Sequence, residues 1–232
     1  MLTLTGEILV MKNNILNKRF RNDGYYNVSI FLVAISIVFY AIGNIRVGSY
    51  TFTTYLAFTP YINMHKLYLR QFVTYMFVCP MGLWQFLFCM LMLLSFGVSL
   101  ERQLGSKEFL LFYMFTGIFV SVFAYITCIL AKSEFYSLAS PYAIILGLEV
   151  LFAMLNPYAK VLVYFIIPIR ITFLVLFLVA LELIIIFLPA TGGSWIEIVQ
   201  LYSLVAAFAY AYFRLRMHPL RFWINTISGK PV

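Results

Sequence analysis

Six long apolar stretches constrain the fold of this chain more than any other feature of its sequence. They lie at residues 28–45, 83–100, 109–131, 138–155, 171–189 and 196–213. Each is about 18–23 residues long, enough for an α-helix to cross roughly 30 Å of hydrocarbon. Only 10% of the residues are charged and 64% are apolar, more than a soluble domain of this size can bury. The pattern predicts an all-α membrane protein with six transmembrane helices.

The positions of the basic residues predict the orientation. If the N-terminus is cytoplasmic, twelve of the sixteen Lys and Arg residues lie in cytoplasmic segments and four lie outside. Because basic loops are retained in the cytoplasm, both termini are predicted to be cytoplasmic. The net charge of +8 is therefore assigned to these loops and not to nucleic acid binding. The first apolar stretch is expected to be a retained anchor and not a cleaved signal, in a bacterial inner membrane.

This orientation divides the chain into three predicted parts. Residues 1–27 form a cytoplasmic N-terminal segment, residues 28–213 a six-helix membrane domain, and residues 214–232 a basic cytoplasmic tail suited to anionic lipids. The loop at 46–82 is too apolar for a solvated loop and too interrupted for a span. Its Tyr and Phe content predicts a structured insertion, partly embedded in the outer leaflet.

Local signals predict several helix ends. Ser106, after Gly105, is the predicted N-cap of the third helix. The pair Asn156-Pro157 is predicted to end the fourth helix, and Pro168 to break the cytoplasmic segment before the fifth. The three cysteines, Cys79, Cys89 and Cys128, show no metal-ligand spacing, and we predict no metal site, disulfide framework or cofactor.

Two stretches in order, LAFTPYINMHKLYLRQFVTYMF and WQFLFCMLMLLSFGVSLERQLGSKEFLLFYMFTGI, resemble the rhomboid family of intramembrane serine proteases. Leu69-Arg70 stands where that family usually has Trp-Arg, whereas Phe96-Gly97, Glu101 and Gly105-Ser106 match it. The resemblance covers residues 25–222. It implies a rhomboid-like six-helix bundle with a cavity open to the outside. Active members have a Gly-x-Ser-Gly nucleophile on the fourth helix, a histidine base on the sixth, and an oxyanion His and Asn on the second.

Ser140 stands at the nucleophile position implied by the resemblance. It is followed by Pro141, where the family has glycine. Proline lacks an N–H and fixes its own φ, so it cannot reproduce the permissive backbone of glycine. The alternative is structural: a serine N-cap followed by proline is a common way to start a helix.

The other catalytic positions implied by the resemblance are replaced. Tyr202 stands at the general-base histidine, and Gln85 and Cys89 stand at the oxyanion His and Asn. A tyrosine with a reference pKa near 10 is a poor base at neutral pH, and a thiol is a weak hydrogen-bond donor. His65, in the first outer loop, and His218, in the cytoplasmic tail, are not expected to reach Ser140.

Two intramembrane carboxylates require a separate explanation, because such groups are functional candidates by default. Glu149 lies in the fourth stretch and Glu182 in the fifth. They could mark an ion or proton path. Alternatively, Glu149 is paired near the inner surface and Glu182 is protonated or bonded within the bundle.

Three functions are consistent with these residues. The first is a rhomboid-like pseudoprotease that binds or regulates the transmembrane segments of client proteins. The second is an intramembrane serine endopeptidase with an atypical site that uses Ser140. The third is a small transporter that uses Glu149 and Glu182. The expected partners are membrane lipids and client helices.

Overall fold

The structure, a computed structural model, describes residues 27–47, 50–59, 68–80, 82–131, 138–163, 167–187 and 195–216. In chain order its elements are α1 (Asn27–Gly43), β1 (Arg46–Val47), β2 (Tyr50–Thr51), α2 (Phe52–Leu56), α3 (Gln71–Thr74), the 3₁₀ turn Tyr75–Phe77, α4 (Leu83–Leu104), α5 (Ser106–Ala131), α6 (Tyr142–Leu155), β3 (Lys160–Val163), β4 (Ile167–Arg170), α7 (Ile171–Phe187) and α8 (Trp195–Phe213). Each predicted apolar stretch corresponds to one long helix. Helices α4 and α5 are long and apolar enough to cross a membrane, and the described parts of α1, α6, α7 and α8 are shorter apolar helices.

The fourth long helix begins later than its apolar stretch, which starts at residue 138. Leu138 is instead paired with Phe58 in an antiparallel bridge, with N–H···O distances of 2.7 and 2.8 Å. Pro141 then occupies the cap position, and its carbonyl accepts the first helical hydrogen bond from Ile145 N at 3.0 Å. The bridge therefore fixes the approach to α6 and leaves Ser140 outside the helix. At the other end, α6 stops before Asn156-Pro157, as predicted.

Hydrogen bonds between helix ends define one end of the bundle, here called the Glu101 end. Glu101 on α4 binds the start of α1, and Asn156, after α6, donates to Gln103 at 2.9 Å. Arg214, after α8, forms an ion pair with Glu108 on α5 at 2.6 Å. The pKa of Arg214 is raised above its ordinary value, because its guanidinium donates hydrogen bonds to the Glu108 carboxylate and senses its charge.

The opposite end, here called the Ser140 end, follows from the direction of the helices. Since α6 and α8 finish at the Glu101 end, they begin at the Ser140 end, as does α4, whereas α7 finishes there. This alternation is the arrangement expected when short connections join successive helices. Which end faces the cytoplasm stays a prediction.

The turn between α4 and α5 is built around the buried Glu101 carboxylate. Its oxygens accept four hydrogen bonds, from Ser29 N (2.9 Å), Ser29 Oγ (2.6 Å), Val28 N (3.2 Å) and Ser106 Oγ (2.5 Å). The prediction of Ser106 as N-cap was wrong. The residue before α5 is Gly105, which has a φ of 89°. Its carbonyl accepts a hydrogen bond from Phe109 N. Ser106 is the first helical residue, and its hydroxyl bonds Glu101 because a carboxylate is the stronger acceptor.

The segment between α1 and α4 contains short elements of secondary structure where it is described. Strands β1 and β2 form a short antiparallel hairpin, and the Thr53 hydroxyl of α2 donates to Gly43 O at 2.8 Å. The 3₁₀ turn packs into the bundle, where Tyr75 is fully buried and its hydroxyl donates to Gly117 O of α5 at 2.7 Å. The predicted depth of this insertion in the outer leaflet stays a prediction.

The sequence predicts that Pro168 breaks the connection between α6 and α7, and the structure differs from this prediction. Strands β3 and β4 pair as an antiparallel hairpin, with Lys160 opposite Arg170 and Leu162 opposite Pro168. Proline has no N–H for a ladder bond, and it is tolerated in a strand that has a free edge. Pro168 therefore lies within β4, and α7 begins at Ile171.

Helix α6 forms the centre of the bundle. Of the ten residues 141–150, all except Tyr142 are buried. Helices α4, α5, α7 and α8 all pack around α6. Close approach is possible at Gly147, where an added Cβ would lie 3.1 Å from Thr116 Cγ2 and 3.4 Å from Ser203 O. A small residue at this position lets the backbones of α6 and α8 approach, as in other membrane helix pairs.

Candidate functional site

Ser140 lies at the entrance to α6 with only 8% of its surface exposed. Its Oγ accepts a hydrogen bond from Tyr142 N at 3.1 Å. This bond satisfies one of the N–H groups that the first turn of a helix leaves without a partner. In the described part of the chain no group accepts the proton of the Ser140 hydroxyl. An activated serine requires such a base, so the geometry favours a structural role for Ser140. The alternative of Ser140 as N-cap was wrong by one residue, because Pro141 holds the cap position and Ser140 precedes it.

Tyr202 directs its hydroxyl to Thr127 on α5. The Tyr202 hydroxyl and Thr127 Oγ1 are 2.6 Å apart, and Thr127 donates its own proton to Phe123 O at 2.8 Å. Because Thr127 has one proton, Tyr202 is the donor to Thr127. Its ring also packs on Phe123, with centroids 5.4 Å apart. Tyr202 thus joins α8 to α5.

The two residues at the predicted oxyanion positions lie in different environments. Gln85 is exposed near the start of α4, and no described residue forms a hydrogen bond with its side chain. Cys89, one turn further along, is buried with 2% of its surface exposed. It interacts electrostatically with Cys79 and Glu149. The structure therefore does not bring Gln85 and Cys89 together in the interior as a pair of donors.

A polar cluster that the sequence analysis did not assemble lies inside the Ser140 end. With its amide nitrogen facing the carboxylate, Gln200 donates to Glu182 Oε1 at 2.7 Å and Oε2 at 3.1 Å. The Tyr142 phenol lies within hydrogen-bonding reach of Glu182, and Glu149 and Cys89 are also near it. The prediction that Glu182 is bonded within the bundle agrees with these contacts. We call Cys89, Tyr142, Glu149, Glu182 and Gln200 the polar cluster.

Gln200 and Tyr142 are the members of this cluster that sequence reasoning missed. Gln200 is five residues from the start of α8, and Glu182 is five residues from the end of α7. At about 1.5 Å per residue, both lie about 7.5 Å from the described ends of their helices. Comparing the depths of polar residues in adjacent predicted spans would have paired them.

The remaining predicted residues contribute less to the site. His65 and His218 lie outside the described residues. Cys79 is buried near Cys89. Within the described ranges, no group of three or more His, Cys, Asp or Glu side chains is arranged to hold a metal ion.

Comparison with known proteins gives one match. The model of the Rhomboid domain family matches residues 66–217, about two thirds of the chain. The matched range contains Ser140, Tyr202 and the whole polar cluster. Neither a curated protein nor a solved structure matches the chain.

Proposed function

The chain belongs to the rhomboid family, and on that premise we propose that it is a catalytically inactive member that binds or regulates other transmembrane proteins. As a rhomboid-type integral membrane protein it contacts lipid. In this proposal residues 28–213 form the membrane domain, and residues 1–27 and 214–232 are cytoplasmic. The membrane is assigned to a bacterial cell, on the charge distribution alone.

One observation carries the proposal: the residues at the two catalytic positions are bonded to other groups. Ser140 accepts from the backbone of its own helix turn, and Tyr202 donates to Thr127. Acyl transfer by serine needs a base that takes the hydroxyl proton and donors that stabilise the oxyanion. Pro141 after the serine and the exposed position of Gln85 further support an inactive site.

The packing of α7 supports the binding of a client helix. Helix α7 packs on α6 and α8, whereas α4 packs on α1, α5 and α6; among the described residues no extensive contact joins α4 to α7. Both helices bear exposed apolar side chains, including Phe88 on α4 and Phe177 on α7. A transmembrane helix of a client could enter between them and cover apolar surface on both sides.

An atypical serine endopeptidase is the second candidate. Family membership favours it, and a serine is present at the entrance of α6. Because function depends on the site and not on the fold alone, the endopeptidase ranks below the catalytically inactive client-binding protein. A transporter is third, since the described cluster has two carboxylates but its helices are unbroken.

Labelling with a fluorophosphonate probe in native membranes tests the choice between the first two. We expect no labelling that depends on Ser140, because no described base accepts its proton. The wild-type protein is compared with Ser140→Ala and with an active rhomboid protease as positive control. Labelling of the wild type that disappears in Ser140→Ala would establish an activated nucleophile and overturn the inactive assignment.

A further inference from the structure

Four members of the polar cluster, all except Tyr142, lie about one and a half to two turns from the described Ser140 ends of their helices. Glu149 is seven residues from the start of α6 and Cys89 is six residues from the start of α4. At about 1.5 Å per residue, these positions correspond to about 10 and 9 Å. Glu182 and Gln200 are at about 7.5 Å by the same measure. Four helices thus contribute polar groups to one layer inside the bundle.

The two carboxylates of this layer differ in their bonding. Glu182 is bonded by Gln200 and has Tyr142 beside it. Glu149 has only 5% of its surface exposed, and within the described residues it forms neither a hydrogen bond nor an ion pair. The Cys89 thiol of α4 and the Tyr142 phenol lie near it.

A buried carboxylate without a partner is unfavourable in an apolar environment unless a proton or a cation neutralises it. One carboxylate cannot form the coordination shell of a hard divalent cation, which takes six or more oxygen ligands. A Lys or Arg side chain can pair with a single carboxylate through charge-assisted hydrogen bonds, and its long apolar stem packs against the surrounding apolar surface. The chemistry of Glu149 therefore suits a basic side chain better than a free metal ion.

The route to Glu149 is the space between α4 and α7. Each of these two helices contributes one member of the cluster, Cys89 from α4 and Glu182 from α7. Extensive packing between them is lacking where both are described. A helix that enters there would meet Glu149 at about the middle of α6.

We propose that Glu149 receives a Lys or Arg side chain carried in the transmembrane segment of a client protein. This inference rests on the proposed client-binding function and specifies the client chemically. The basic residue lies about 10 Å below the Ser140 end, the depth of Glu149. Its ion pair with Glu149 would add selectivity to the apolar contacts with α4 and α7.

The test uses the full chain in lipid vesicles and synthetic transmembrane peptides of about 20 residues. The peptides are leucine-rich and carry one Lys, placed at four successive positions so that one of them faces Glu149. Matched peptides carry Leu or Gln instead. Binding is measured by energy transfer between a labelled peptide and the labelled C-terminal tail.

We expect the best Lys peptide to bind the wild type about three- to tenfold more tightly than the Leu peptide, the range that polar contacts between membrane helices give. Glu149→Gln, which is close to isosteric, should remove this preference, so that the Lys and Leu peptides bind the variant equally. Glu149→Asp should keep part of the preference. The matched control is Glu182→Gln, which should have the smaller effect because Gln200 already bonds Glu182.

The outcomes separate the two proposals. Equal binding of Lys and Leu peptides to the wild type would overturn the Glu149 site and leave client binding intact. A Lys preference that persists in Glu149→Gln would also overturn it. Failure of every peptide to bind would overturn both the site and the proposed function.

Discussion

Replacing Glu101 by alanine is expected to lower the free energy of unfolding by about 3 kcal/mol or more. The carboxylate is buried and accepts four hydrogen bonds, three from the start of α1 and one from Ser106. Alanine would leave buried N–H and O–H groups without an acceptor, and each costs about 1–3 kcal/mol. It would also remove the negative charge that the N-terminus of α1 favours. Thermal or denaturant unfolding in mild detergent measures the loss.

Graded variants separate the bonding from the loss of side-chain volume. Ser106→Ala removes one donor of the four and should cost about 1 kcal/mol. Glu101→Gln keeps the volume and one acceptor oxygen, so its loss should lie between those of Ser106→Ala and Glu101→Ala. Wild-type stability in Glu101→Ala would contradict the assignment of Glu101 as the group that joins α1 to the turn.

The location of the helices was predictable from the sequence, because apolar periodicity and length are local properties. The partners of individual residues were not. Glu101 was visible in the chain next to Gly105 and Ser106, but its contact with Ser29 depends on which faces of α1 and α4 meet. In the same way, the Leu138–Phe58 bridge joins segments far apart in sequence and moves the start of α6.

The candidate site also combines contacts between sequence neighbours, which the sequence can predict, with contacts between residues far apart in sequence, which it cannot. The structural alternative for Ser140 required only its neighbours, Pro141 and Tyr142. The hydrogen bond from Tyr142 N is a local contact of this kind, although Pro141 and not Ser140 holds the cap position. The bond from Tyr202 to Thr127 could not be foreseen, because Thr127 is one polar residue in an otherwise apolar helix. Residue identity restricts the chemistry that a position can perform, whereas tertiary packing decides which partner it meets.

The hairpin of β3 and β4 illustrates a conflict between two local signals. Pro168 in KVLVYFIIPIR was interpreted as a break, since proline removes a donor. The β-branched residues around it favour strands, and in this segment they prevail. Sequence reasoning recognised that helix was excluded there, but it did not weigh strand as the alternative.

Replacing Gly117 by valine is expected to destabilise the protein by about 2–3 kcal/mol, through overpacking against Met76. A Cβ at Gly117 would meet Met76 Cε and would lie 2.5 Å from Sδ and 3.0 Å from Cγ. Met76 is fully buried, so its flexible end has little room to move. The neighbouring Tyr75 also contacts this glycine, because its hydroxyl donates a hydrogen bond to Gly117 O. Denaturant unfolding of the purified protein measures the change.

A double-mutant cycle identifies Met76 as the cause. Met76→Ala alone should cost about 2–5 kcal/mol, because it leaves a cavity. In the double variant valine occupies part of that space, so the combined loss should be smaller than the sum of the single losses by about 1–3 kcal/mol. Gly82→Val is the matched control, since no atom lies within 4 Å of a Cβ added at that glycine. Because Gly82 is the N-cap of α4, its loss should be limited to the cap contribution of about 1 kcal/mol. If the losses of the two single variants simply add in the double variant, contact with Met76 is not the reason that Gly117 is required. The position of the 3₁₀ turn on α5 would then not depend on this contact.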